Sequence, residues 1–126
     1  MPYPANRLNA IRLVQGQTKR VAVRVKTKEG RGVSLEGARV LMTVRRTAGS
    51  AVLIAKTTGS GIAITDPARG EAVITLDTTD TCQLEAGAYR YDVWVEFPGE
   101  GGAPPVRYPV VHYAEIHVED SVTDFT

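Results

Sequence analysis

Residues 59–97, GSGIAITDPARGEAVITLDTTDTCQLEAGAYRYDVWVEF, decide the fold. Ile62 to Thr65 is a short strand. Asp66-Pro67-Ala68-Arg69-Gly70 is a turn, in which Pro67 presets φ and Gly70 is free to take positive φ. Glu71 to Asp77 alternates and runs back. Thr78 to Gly87 has no sheet period and reads as an irregular crossover rich in Thr, Asp and Gly. From Ala88 to Phe97 the alternation is strict. Tyr89, Tyr91, Val93, Val95 and Phe97 share one face, and Arg90, Asp92, Trp94 and Glu96 share the other.

Working outward, the same grammar repeats. Asn9 to Val14 leads into a Gln15-Gly16-Gln17 turn. Thr18 to Thr27 places Val21, Val23 and Val25 opposite Arg20, Arg24 and Lys26. Ala38 to Arg46 sets Ala38, Val40, Met42 and Val44 against Arg39, Leu41, Thr43 and Arg45, and Val52 to Thr58 returns after the Ala48-Gly49-Ser50 turn. PGEGGAPP (residues 98–105) is a hairpin loop before the last long strand, Val106 to Glu119. Pro109 lacks a donor, so it marks a bulge, an edge or a break in that strand. Short strands with Gly and Pro turns every eight to twelve residues predict an all-β fold, an antiparallel immunoglobulin-like β-sandwich of about 8–9 strands. Leu84, Gly87 and Tyr89 carry the spacing of a tyrosine corner. The expected organisation is an extended arm over 1–11, the sandwich over 12–119 and an acidic tail over 120–126.

The wording of the central stretch resembles a family. Gly61, Ile62, Ile64, Thr65, Gly70, Val73, Ile74, Thr75, Leu76, Asp80, Thr81, Leu84, Gly87, Tyr89, Tyr91, Asp92 and Val93 follow a pattern similar to that of the small immunoglobulin-like domains of tailed-phage virion proteins. Such domains occur in baseplate upper proteins and in short tail, neck or head-accessory proteins. Gly16-Gln17-Thr18 and the stretch Val33 to Ala38 fit more loosely, so the resemblance spans about residues 12–118. It implies a non-enzymatic structural component of a virion that forms an oligomeric ring and docks on other virion proteins. It names no reaction.

Composition narrows the classes. At 126 residues, 43% hydrophobic and 23% charged, the chain suits one folded domain. No run approaches the ~20 apolar residues of a membrane-spanning helix, and MPYPANRLNAIRLVQG has no apolar signal-peptide core. The expectation is a protein kept in a bacterial cytoplasm, as a virion component is during assembly, with no membrane partner. A single cysteine, Cys82, excludes an internal disulfide and a cysteine-based zinc site. It reads as a small buried or half-buried residue, since a reactive thiol needs an electropositive pocket and its neighbours Asp80 and Glu85 are acidic.

Charge is split along the chain. Residues 1–63 hold twelve Lys and Arg against two acids, and residues 64–126 hold three Arg against twelve acids. Basic and acidic strands could interleave and neutralise one another, or the surface could carry a basic and an acidic face that stack head to tail. With a sequence pI near 7.9 and no basic–aromatic motif, nucleic acid is not an expected partner.

No catalytic constellation is visible. The serines fall in loop or tail contexts, and Gly59-Ser60-Gly61 lacks the Lys and helix of a phosphate loop. His112 and His117, five apart on one strand, are expected on opposite faces and so unable to share a metal. Asp66, Asp77 and Asp80 read as turn caps, lacking the dense spacing of a calcium loop. No catalytic group, cofactor, metal or small-molecule ligand is expected.

The candidate interface residues are Trp94, Leu41, Tyr3, Phe125, Arg20, Arg24 and Arg45. Trp94 and Leu41 are apolar residues on faces that should be wet. The indole either lies under a loop of its own chain, meets a partner subunit or stacks on a sugar. Tyr3 and Phe125 sit in the two end segments, which either stay disordered in a free monomer or dock on a neighbour. The alternative function is a carbohydrate-binding or adhesion module on the same fold, although Tyr108 and Tyr113 are expected on different faces, which would deprive it of a platform.

Overall fold

The computed structural model describes residues 9–123. Eight strands form one continuous ladder: β1 (Ile11–Val14), β2 (Lys19–Arg24), β3 (Arg39–Arg45), β4 (Val52–Thr58), β5 (Gly61–Asp66), β6 (Glu71–Leu76), β7 (Gly87–Phe97) and β8 (Val106–Glu119). Their spatial order is β1-β8-β7-β3-β4-β5-β6-β2. This is the expected all-β sandwich. The ladder folds over at the β4–β5 crossing, a two-residue parallel contact of Thr57 with Gly61 and Thr58 with Ile62. One layer is β1-β8-β7-β3-β4 and the other is β5-β6-β2. Most pairings are antiparallel, but β1 lies parallel to β8.

Alternation explains the core. The inward faces of β3 and β7 supply Val40, Met42, Val44, Tyr91, Val93 and Val95. The opposite layer answers with Val23, Ile62, Ile74 and Leu76, all buried. Burial of each such side chain stabilises the fold by roughly 1.5–3 kcal/mol, enough in sum for a domain with no disulfide.

The turn between β5 and β6 forms as its residues predict. Pro67 opens a 3-10 turn, the Asp66 side chain accepts the Arg69 N–H at 3.3 Å, and Gly70 closes the turn at φ +74°. A Cβ on Gly70 would stand 2.5 Å from the Val25 carbonyl oxygen and 2.6 Å from that of Val33, so glycine is required by space as well as by φ. The tyrosine corner is also present: the Tyr89 hydroxyl donates to the Glu85 carbonyl at 2.7 Å.

The crossover after β6 contains one regular element that periodicity did not predict. Residues Thr78–Cys82 form a single helical turn, α1. Asp77 and Asp80 make a reciprocal capping box, each carboxylate accepting the other's N–H at 2.9 Å, which bears out their reading as caps. Cys82 is exposed, a correction to its expected burial; α1 turns Thr81 inward in its place, where the hydroxyl donates to the Gln17 carbonyl at 2.8 Å.

β8 carries two irregularities against β7. Val93 pairs with Val111 and Trp94 with Pro109, so Val110 is an extra residue beside the proline. Tyr91 pairs with Ala114 and Val93 with Val111, so Asp92 faces both His112 and Tyr113. The second bulge inverts the parity of the strand. Val111 is buried before it; Ala114, Ile116 and Val118 are buried after it.

Candidate functional site: an open seam and an aromatic cleft

Two features of the surface collect the candidate residues. The first is a seam between the ends of the ladder. β1 pairs only with residues 116–119 of β8, so the earlier half of β8 has a free edge among the described residues. β2 bonds only β6, so its other edge is free too. The two ends are joined by the Gln15–Thr18 turn and splay apart from it. That turn is held by Gln17 N–H to the Val14 carbonyl at 2.9 Å and by Val14 N–H to the Gln17 side chain at 2.9 Å.

The seam consists of two adjoining hollows, each about 400 Å³, which share Arg24 and Val110. Its floor is apolar, with Val21, Val23, Val95, Phe97, Tyr91 and Val111. Arg12, Lys19, Arg20, Arg24 and Lys26 line it, and no acid does. None of these five cations has an ion-pair partner among the described residues, although Glu71 is the ladder neighbour of Arg24.

Elsewhere part of the split charge is neutralised as interleaved strands would do it. Arg39 and Arg107 both grip Glu96, with Arg107 Nε to Glu96 Oε2 at 2.6 Å and Arg39 Nη2 to Glu96 Oε1 at 2.8 Å. Lys56 meets Asp80 at 2.6 Å. The hydrogen bonds from Arg107 and then Arg39 hold the Glu96 carboxyl below the usual carboxylate range. Asp77 is likewise lowered, chiefly by the Asp80 backbone N–H. Of the basic half, Arg39, Arg46 and Lys56 are thus paired with acids, whereas the five seam cations, Lys28 and Arg31 of the loop after β2, and Arg45 of the cleft have no ion-pair partner among the described residues.

The second feature is a cleft of about 250 Å³ on the outer face of β3, β7 and β8. The bulge at Asp92 builds it. Tyr113 sits at φ +52°, a left-handed conformation rare for an aromatic residue, and its N–H donates to the Asp92 carboxylate. Two consecutive residues, His112 and Tyr113, are thereby both exposed beside Trp94. The Arg90 guanidinium lies over the Tyr113 ring at 4.8 Å, and His112 Nδ1 is 3.6 Å from Asp92 Oδ1. Arg45 completes the rim, opposite Arg90 in the ladder.

The seven candidate residues thus separate. Trp94 and Leu41 are direct cross-strand neighbours, and Arg45 shares the cleft with Trp94. Arg20 and Arg24 lie on the seam. Tyr3 and Phe125 fall outside the described residues. Trp94 is 36% exposed, and Thr47 and Ala48 of the turn after β3 line the cleft with it. The parity switch corrects one expectation. His112 and His117 come to the same outer face of β8. Tyr108 and Tyr113 do lie on different faces, as expected, Tyr108 in the seam and Tyr113 in the cleft beside Trp94. Asp92, His112 and Tyr113 were missed as site residues. The signal for them was the change from an odd buried position at Val111 to even ones from Ala114 onward. No group of three metal-ligating side chains occurs among the described residues.

No family model matches the chain, and no curated protein matches it. Among solved structures it is similar to AggA, the major subunit of aggregative adherence fimbriae type I from Escherichia coli. That chain is 13% identical, with 86% of this chain and 89% of the other covered and a TM-score of 0.35.

Proposed function

We propose that this chain is a non-enzymatic structural component of a tailed-phage virion, in the tail, baseplate, neck or head surface, that acts by oligomeric assembly and docking. The observation that carries the assembly reading is the seam: two strand edges and a row of cations, all without partners among the described residues, border an apolar floor. Free edges and unneutralised charge are what a partner strand satisfies. The virion placement rests on the residue pattern from Gly61 to Val93, and the place of action follows from it: a particle put together in the bacterial cytoplasm. Heterologous contacts of one copy on the next give a ring when the rotation closes.

Solution mass by light scattering tests this reading. A discrete oligomer that dissociates at high salt is expected, because the contacts include exposed charges that salt screens. A monomer at both salt levels overturns self-assembly as the mode of action.

The cleft favours a second reading, a glycan-binding or adhesion module. Trp94 and Tyr113 with Asp92, Arg90 and Arg45 combine aromatic surface with polar groups that could bind sugar hydroxyls. Quenching or blue-shift of Trp94 fluorescence by oligosaccharides, lost in Tyr113→Ala, would move that reading ahead.

A further inference from the structure

We propose that the seam takes, as an added strand, the acidic C-terminal segment of a second copy, residues 120–126 (DSVTDFT). This rests on the assembly reading above and names its contact.

The backbone of the seam is set for a strand. Val25 N–H bonds the Gly70 carbonyl at 2.8 Å, in register with the β2–β6 pairs. Strand alternation carries that direction to Val23 and Val21. Arg20, Ala22 and Arg24 therefore turn their N–H and C=O groups into the seam. On the other wall, Gln15 N–H bonds the Glu119 carbonyl at 2.8 Å, which by the same alternation turns the Arg12 amide and carbonyl into the seam.

The side chains select the occupant. Docked as a strand, residues 120–126 would place Asp120 and Asp124 on one face at a spacing of four, and Ser121, Thr123 and Phe125 on the other. Arg20 and Arg24 share the outer face of β2 at the same spacing of four. A strand laid beside β2 puts both acids next to both arginines and turns Phe125 toward the Val21–Val23 floor. Opposite charges on directly neighbouring strands stabilise each other. The other end segment fits less well: residues 1–8 carry Arg7, of the same sign as the seam, and Pro2 and Pro4 lack donors.

Chain direction assigns the donor to another molecule. β8 runs parallel to β1 and ends beside Val14, at the turn that closes the seam. Residues past Glu119 leave from that closed end, and Val122 is fully exposed there. Seven extended residues reach about 23 Å, against about 20 Å for the six residues of β2, so the segment matches the length of a neighbour's edge.

The test uses the chain ending at Glu119 and a labelled synthetic peptide of residues 119–126, followed by fluorescence anisotropy. The peptide should bind the shortened chain, bind less at high salt, and lose affinity about tenfold on Arg20→Glu/Arg24→Glu, the scale of two cross-strand charge pairs. A peptide with Asp120→Arg/Asp124→Arg should recover binding to that double variant. Equal binding of a scrambled peptide overturns the proposal in favour of a nonspecific basic patch. If the full chain associates and the shortened chain associates equally, the seam assignment fails while the assembly reading stands. Association abolished by removing residues 1–8 but not 120–126 gives the seam to the other arm and also overturns it. Peptide binding by a full chain that is itself monomeric removes the second copy as donor and overturns both the proposal and self-assembly.

Discussion

The Tyr91 hydroxyl donates its hydrogen bond to the backbone carbonyl of Asn9, fastening the mouth of the seam to the centre of β7. Burial pushes the Tyr91 phenol up to about 12, because the phenolate would be stranded from water. The folded value thus lies above the unfolded one near 10. Its contribution is complete below about pH 10 and is lost as pH rises toward 12. Urea titrations across that range should show an alkaline loss of stability that Tyr91→Phe largely removes. At neutral pH the same substitution should cost about 1 kcal/mol through the lost hydrogen bond.

Glu96 and Asp77 predict the acid limb. Both are held below the ordinary carboxylate range, Glu96 by Arg107 and Arg39 and Asp77 by the N–H of Asp80. A depressed folded value means stability that is present above the unfolded value, 4.5 for Glu96 and 3.8 for Asp77, and lost as pH falls below it. Glu96→Gln should flatten the melting temperature between neutral pH and the acid transition. An unchanged acid slope would show that the two arginines leave Glu96 unperturbed.

Ile74 stands at the centre of the thinner layer, opposite Val21 of β2 and Ile62 of β5, and is fully buried. Ile74→Ala should cost about 2–5 kcal/mol, read as a lower denaturation midpoint with an unchanged slope. A cost within experimental error would contradict the packing of β5-β6-β2 as the second layer.

Gly70 tests the turn. With φ at +74° and two carbonyl oxygens within 2.6 Å of a built Cβ, Gly70→Ala should destabilise by more than about 1 kcal/mol. Thermal melts of this variant against Gly30→Ala separate the two causes. Gly30 also has positive φ, at +85°, but meets nothing within 4 Å, so its cost should be the smaller.

Trp94 separates binding from stability. Its ring is partly exposed on the outer face beside Leu41, so Trp94→Ala should leave folding stability nearly intact. A fall in association or in oligosaccharide binding with an unchanged melt would assign the cleft a binding role. An intact phenotype in both assays would mark the indole as surface packing.

β2, β3, β5, β6 and β7 were legible because each obeys a period of two over six or more residues, as Tyr89 to Phe97 does. The 66–70 turn was legible because each residue has one physical job there. α1 was not, since five residues are too few to display a helical period. The bulge at His112 and Tyr113 escaped simple alternation because one extra residue shifts parity without changing composition; only the switch from Val111 to Ala114 records it. The seam was invisible for a different reason. Which strands end a ladder, and whether those ends are satisfied, depends on pairings across the whole chain, such as β1 with residues 116–119 of β8. Charge split was readable from the sequence, but its survival at Arg20 and Arg24, beside neutralised Arg39 and Lys56, is a property of that tertiary arrangement.

The most direct test is amide exchange by nuclear magnetic resonance at Arg12, Arg20, Ala22 and Arg24, compared in the full chain and the chain ending at Glu119. The account predicts that these amides become protected in the associated full chain and exchange freely in the shortened one. Equal exchange of all four amides in both chains, with the full chain associated, would contradict a strand docked in the seam.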